Sequence, residues 1–263
     1  SKLTYKKKNK WLTKIYYNLA WSQLKLDRFK SALSNLKVAH RLSKSKFYFE
    51  IGDQLTDAVL LFYAYSKRTK EGLDYILNHG IDDFDNVLKY LHYVFENGSK
   101  PSTKYVISYF NRLKLTGEQE YKLLTKKILV YRTLKRFKML QVDFKKFKKK
   151  LKKIRKSRVS DRTRDELINS IKSYTGYLQE IVKSRRLINK KKKKIYVRYV
   201  AYNFNVLKLV DTRNALEYNY YEGETYFLMG NFKRASFVYA AGINKHKKRN
   251  GKTKHKFLDK SFD

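Results

Sequence analysis

Between Val130 and Ile154 the apolar residues Val130, Leu134, Phe137, Leu140, Phe144, Phe147, Leu151 and Ile154 follow one another at spacings of four, three, three, four, three, four and three. A stripe of this period lies on one face of an α-helix and is close to a heptad seam. Around its last half nearly every other position is basic, in Asp143-Phe-Lys-Lys-Phe-Lys-Lys-Lys-Leu-Lys-Lys-Ile-Arg-Lys-Ser-Arg158. Like charges three and four residues apart repel by a few tenths of a kcal/mol per pair. Such a helix needs another helix on its apolar stripe and counter-ions or a polyanion on its charged face.

The rest of the chain is patterned for the same kind of fold. It holds one proline, Pro101, and ten glycines in 263 residues, too few turn formers for a β-rich domain, so an all-α fold is expected. Hydrophobic residues make up 42% of it, enough for a core despite the charge. Helical periods are expected near Gln54–Ser66, Lys70–Asn78, Phe84–Glu96 and Ser102–Leu115, with stops at His79-Gly80, Asn97-Gly98 and Thr116-Gly117. The carboxylates of Asp82, Asp83 and Asp85 fit helix capping better than a metal site.

A single helix is expected from Glu118 to about Arg158. A second opens at the capping-box sequence Thr163-Arg-Asp-Glu166 and carries Leu167, Ile171, Tyr174, Leu178, Ile181 and Ile188. Together they predict a basic antiparallel hairpin with its tip near residues 158 to 163. Ile195 to Val210 forms a further helix. The expected organisation is a helical region over 1–117, the basic hairpin over 118–198, a helix pair over 199–246 and a basic tail over 247–263.

Two stretches carry a more specific pattern. Tyr16, Leu19 and Ala20, followed after Leu26-Asp-Arg28 by Phe29, Ala32, Leu36 and Ala39, place large and small residues at fixed points of a helix pair. Gly223, Tyr226, Gly230, Phe232, Ala235 and Tyr239 do so again. Residues 11–42 and 214–243 thereby resemble the tetratricopeptide repeat, although Asp27 and Gln23 depart from its usual glycine and tyrosine, and Asn219 and Glu222 from its large and leucine positions. The resemblance implies stacked antiparallel helix pairs, an α-solenoid, with a face that binds protein, here through Tyr17, Trp21, Tyr220 and Phe227. It implies no reaction.

Nothing in the chain is arranged for catalysis. The absence of cysteine excludes disulfides and thiolate metal sites. His40, His79, His92, His246 and His255 have no ligand spacing, and Gly251-Lys-Thr253 lacks the glycine that a phosphate-binding loop needs at position 246. Neither an enzyme nor a cofactor, metal or small-molecule substrate is expected. The N-terminal residues lack the apolar core of a signal peptide, and Ala58 to Tyr65 is too short an apolar run to span a bilayer.

Charge carries the positive signal. Lysine and arginine number 62 against 23 acidic residues, a net +39, far beyond the charge of about 2 to 8 that solubility requires. The expected RNA-binding residues are Lys145, Lys146, Lys148, Lys149, Lys150, Lys152, Lys153, Arg155, Lys156, Arg158, Arg162 and Arg164 of the hairpin, Lys190, Lys191, Lys192, Lys193 and Lys194 behind it, and Lys247, Lys248 and Arg249 of the tail. With no base-reading module, binding should follow backbone shape and so favour structured RNA. The expectation is a non-catalytic structural protein of a large ribonucleoprotein, a ribosomal and in particular a mitochondrial ribosomal subunit, touching rRNA and neighbouring proteins but no membrane. The abundance of Lys, Tyr, Phe and Asn fits an AT-rich, organellar coding genome; a cytoplasmic ribonucleoprotein is the other location. The alternatives are a tetratricopeptide adaptor for an acidic partner and a basic DNA-binding or replication factor.

Overall fold

The computed structural model describes residues 9–151, 153–154, 158–184 and 189–250, the side chains of Lys190 and of residues 246–250 excepted. Regular structure among these residues is entirely helical: α1 (Leu12–Lys25), α2 (Phe29–Ser43), α3 (Gly52–Tyr65), α4 (Thr69–Asn78), α5 (Phe84–Asn97), α6 (Lys100–Phe110), α7 (Gly117–Thr133), α8 (Phe137–Leu151), α9 (Asp161–Lys183), α10 (Lys190–Val210), α11 (Ala215–Phe227) and α12 (Phe232–Asn250). The chain divides into two units, one ending at Lys114 and the other beginning at Leu115.

In the first unit α1 packs on α2 and α2 on α3; α3 pairs with α4, α5 with α6, and the second pair lies on the first through α3–α5 and α4–α6 contacts. In the second unit the pairs α7–α8 and α9–α10 are stacked in the same two-by-two way, through α7–α9 and α8–α10, and α11 and α12 follow α10. Stacked helices run parallel. Phe137 meets Tyr196 at 5.5 Å between ring centres, and further along both helices Lys148 Nζ donates to Asn205 Oδ1 at 2.5 Å.

The helix expected to run unbroken from Glu118 to Arg158 is two helices. It breaks at Leu134-Lys-Arg136, where Lys135 takes φ 53° and the Arg136 amide donates back to the Tyr131 carbonyl at 2.8 Å. The same closure ends α1 at Asp27 (φ 57°) and α11 at Gly230 (φ 71°), with Arg28 N–H on the Gln23 carbonyl at 2.9 Å and Asn231 N–H on the Tyr226 carbonyl at 3.0 Å. Lys67, at φ 58°, ends α3 similarly. These bonds, from a residue to the carbonyl five before it, satisfy carbonyls that a helix end leaves orphaned. The turn is too short to shift the apolar register, so the stripe runs through it and periodicity alone does not reveal the break.

That stripe is the core of the second unit. Phe144 and Leu140 are fully buried; Phe144 lies 6.2 Å from Tyr174 of α9, and Phe147 meets Tyr121 of α7 edge-on at 5.1 Å. Leu167, Ile171, Tyr174 and Leu178 of α9 are fully buried beside them. In the first unit Leu36, Leu55, Leu60, Phe62, Ile76, Tyr90 and Leu91 fill the core.

Several local expectations change. α6 ends at Phe110, and Thr116-Gly117 is a start: Thr116 accepts from the Gln119 amide in a capping box. Helix α9 is capped by Ser160, three residues before the expected Thr163. Asp83 caps α5, accepting from the Asn86 amide at 2.9 Å. The apolar Ile15 and Leu19 are 51% and 42% exposed, because α1 turns Thr13, Ala20 and Leu24 inward. Phe232, one of the repeat-like positions, is 60% exposed.

Small residues do set one close crossing. A Cβ on Gly223 would stand 2.2 Å from the Tyr239 ring, so the absence of a side chain on α11 makes room for the tyrosine of α12.

A left-handed lysine costs about 1–2 kcal/mol, whereas glycine's looser unfolded chain costs about 0.4–1 kcal/mol. Lys135→Gly should therefore stabilise the protein slightly and Gly230→Ala destabilise it by about 1 kcal/mol, as read from urea unfolding midpoints. A destabilised Lys135→Gly would mean that α7 and α8 are not joined by this turn.

Candidate nucleic-acid interface

The expected basic residues fall into two exposed clusters and a third group that the fold itself occupies. Lys145, Lys146, Lys149 and Lys153 are exposed on or just after α8, because its opposite face is the buried Leu140–Phe144–Phe147 stripe. Lys148 is turned inward to Asn205 and stands 5.6 Å above the Tyr202 ring. Lys150 is exposed but paired with Glu120 of α7. Lys152, Arg155 and Lys156 lie outside the described residues.

The residues expected at a projecting tip are drawn against α7. Glu118 accepts from the Ser160 amide at 2.9 Å, from the Ser160 hydroxyl at 2.9 Å and from the Thr163 hydroxyl. Burial pushes the Glu118 carboxyl up, but these hydrogen bonds and the nearby Lys122 charge outweigh it and hold it below its ordinary value of 4.5. Arg164 is bonded to Asp161 at 2.7 Å and to the Val159 carbonyl at 3.1 Å. Arg162 pairs with Glu166 at 3.1 Å while its side chain stays 90% exposed. Arg158 is exposed.

The run Lys190–Lys194, readable from sequence equally as a loop, is the first turns of α10. Asn189 caps it by accepting from the Lys192 amide at 2.9 Å. Lys191, Lys192, Lys193 and Lys194 are exposed at a helix end whose unpaired N–H groups are already positive. The Lys190 side chain, and those of Lys247, Lys248 and Arg249 in the last turns of α12, lie outside the described residues.

The two exposed clusters are at opposite ends of the α8–α10 layer. Tyr196 stands beside Phe137, so Lys191–Lys194 lie beyond the start of α8; Lys145–Lys153 begin eight residues along it, about 12 Å away. At the α10 end the fold adds Lys135, Arg136 and Lys138, all exposed, which sequence reasoning overlooked. Their signal was present: Leu134-Lys-Arg-Phe137 repeats Leu26-Asp-Arg-Phe29, and a repeated turn marks a helix end whose side chains face solvent.

Two further cations are internal. Lys127 is 5% exposed with its Nζ 3.4 Å from Asp143. Burial pulls its ammonium down in pKa against the upward pull of that carboxylate. Lys208 bridges Glu222 at 2.5 Å and Asn219 at 2.9 Å.

Of the residues expected to bind protein, Tyr17, Trp21 and Tyr220 are half-buried. The Trp21 indole meets Phe62 edge-on at 5.0 Å, and Tyr220 lies 6.3 Å from Tyr239. Phe227 is 51% exposed, against Phe232 at 5.1 Å. A further open apolar surface lies on the outer stripe of α1: Trp11, Ile15 and Leu19, joined by Phe49 at 4.3 Å from the Trp11 ring.

His40, Tyr75 and His79 gather in the first unit. His40 Nδ1 is 2.7 Å from the Tyr75 hydroxyl, and burial, then Lys44 and His79, lower the His40 pKa. Among the described residues no cluster of three or more potential ligands could hold a metal ion, and no helix is long and apolar enough to cross a membrane. No protein-family model matches the chain, and comparison with curated proteins and with solved structures gave no match.

A depressed carboxyl pKa stabilises the fold above the unfolded value and ceases to do so as pH falls through the folded one. Glu118→Gln should therefore lower stability by roughly 1 kcal/mol at pH 7, and the gap to the unsubstituted protein should close below pH 4.5. Amide exchange at residues 158–163 should quicken in the variant. An equal gap at pH 3.5 would contradict the role of the carboxylate.

Proposed function

We propose that this chain is a non-catalytic structural protein of a large ribonucleoprotein, a ribosomal subunit and specifically one of a mitochondrial ribosome. Its exposed lysines hold rRNA phosphates, and its helix pairs dock on neighbouring proteins. The observation that carries the reading is that, after the helix joints have used their cations, Lys145, Lys146, Lys149, Lys153 and Lys191–Lys194 still project into solvent from a chain of net charge +39. So dense a surface repels itself unless a polyanion screens it. Two clusters more than a helical turn apart suit a ligand with phosphates on several strands, as folded RNA has, better than one extended peptide.

The helix pairs are read as tetratricopeptide-like. Supporting this are left-handed turns at Asp27, Lys67, Lys135 and Gly230, the Gly223–Tyr239 close approach and the two-by-two stacks in each unit. The outer stripe of α1 supports a protein neighbour, because it exposes Trp11 and Ile15 by about half. The AT-rich composition supports the organellar location.

Binding to a structured rRNA fragment should weaken with salt, with log K falling by about 0.7–0.9 per log salt for each phosphate neutralised. Replacing Lys145, Lys146 and Lys149 together by Gln should make that slope shallower by about 2–3 and lower affinity for all folded RNAs alike. Equal affinity of substituted and unsubstituted protein would remove α8 from the interface. Binding that ignores salt, or that prefers an acidic peptide or duplex DNA over folded RNA, would overturn the proposal.

A further inference from the structure

One cleft in the second unit is not explained by contacts to RNA phosphates alone. It lies where the end of α9, the start of α10 and the end of α11 converge, and its volume is about 540 Å3. Val197 and Val200, 9% and 2% exposed, form its floor, and Val182 and Met229 stand at its sides. Lys183, Lys193 and Lys194 belong to the same cleft and all three are exposed at its rim. Apolar walls with a few polar groups, in a volume of about 300–1,000 Å3, are the general form of a small-ligand site.

We propose that this cleft receives one unpaired nucleotide of the bound RNA, turned out of its strand, with the base on the valines and its flanking phosphates on Lys183, Lys193 and Lys194. The inference rests on the RNA-binding reading above and adds which part of the RNA is gripped as a single residue. Three features carry it. First, the three ammonium groups at the rim favour an anionic occupant. Lys183 is only loosely engaged, 3.4 Å from Glu180, with both side chains about three-quarters exposed at 74% and 73%.

Second, Lys193 and Val197 stand on successive turns of one face of α10, about 6 Å apart along its axis. A nucleotide likewise presents phosphate and base on either side of a ribose. Third, Gln179 lines the cleft and its amide both donates and accepts, as the edge of an unpaired base requires. Thr225, also in the lining, already donates its hydroxyl to the Tyr221 carbonyl at 2.7 Å, so little else in the walls competes for polar contacts. An acidic peptide would bring a backbone whose hydrogen bonds these walls leave unmet. Unstacking costs most for a paired base and least for one already single-stranded, so unpaired positions are selected.

The test uses the full chain and a short single-stranded RNA carrying one 2-aminopurine. A base drawn from its stack into an aliphatic cleft should brighten several-fold on binding. Val182→Trp fills the cleft from its side and should abolish the brightening while RNA affinity, held by the lysines, stays within about three-fold. Should Val182→Trp fail to fold, Leu228→Trp obstructs the cleft from a residue that is 83% exposed. Lys193→Gln with Lys194→Gln should leave some brightening but make the salt slope shallower by about 1–2.

RNA that binds without brightening, or brightens equally with the cleft filled, overturns this inference and leaves the RNA-binding reading standing. No binding of this RNA at low salt overturns this inference, and no binding of a structured rRNA fragment at low salt overturns both. A fluorescent fatty acid that binds the unsubstituted protein, is blocked by Val182→Trp, and meets an RNA that does not brighten would assign the cleft to lipid.

Discussion

Compaction of a chain with 62 cationic and 23 anionic residues depends on where the few carboxylates stand. In this fold many of them stand between helices. Asp57 joins α3 to Lys89 of α5. Glu120 and Asp143 join α7 and α8 through Lys150 and Lys127. Glu118 ties the start of α9 to the start of α7, and Glu222 joins α11 to Lys208 of α10. Glu224 accepts from Tyr239 across α11 and α12. A carboxylate at a crossing offsets the repulsion of two basic helices where it is largest, and at short range salt screens it least. Exposed pairs within one helix, such as Arg162–Glu166, contribute little by comparison.

The same placement decides which cations remain for a partner. Lys127, Lys148, Lys150, Lys208 and Arg164 face the protein itself, whereas Lys145, Lys146, Lys149 and Lys191–Lys194 face solvent. Density of lysine in the sequence is therefore a poor guide to which lysines face solvent. The apolar stripe selects the face, and the carboxylates of neighbouring helices select which lysines on it are taken. Tyrosine behaves similarly. Tyr90, Tyr121 and Tyr174 are fully buried, and burial raises their pKa values, so most of the abundant aromatic surface belongs to the core.

Much of the fold was legible in the chain. Helical periods placed α3, α4 and α5 to within two residues, and Asp83 was readable as a cap because a carboxylate before an apolar helix has that use. The break at Lys135 was hidden because Leu134 and Phe137 keep the apolar period through a tight turn. Only the repeat of Leu-x-Arg-Phe at 26–29 and 134–137 marks it. Helix α1 misled for another reason. Its most apolar stripe, Trp11, Ile15 and Leu19, points outward while Thr13 and Ala20 are buried, so the apolar period alone does not say which face the neighbouring helices cover.

By itself the sequence determined an all-helical chain, most of the helix periods and the scarcity of acid, because these follow from residue type and spacing. Only the tertiary structure decided that the basic stripe at Phe144 is packed against α7 and α9 within a two-by-two stack. It also decided that Arg164 is held by its own chain, that the lysines divide between two ends of one layer, and that three of them rim an apolar cleft. The reason is physical: a stripe says that a face will be covered, but burial and ion pairing depend on residues as far apart as Glu118 and Thr163, and no local pattern encodes which helix supplies the cover.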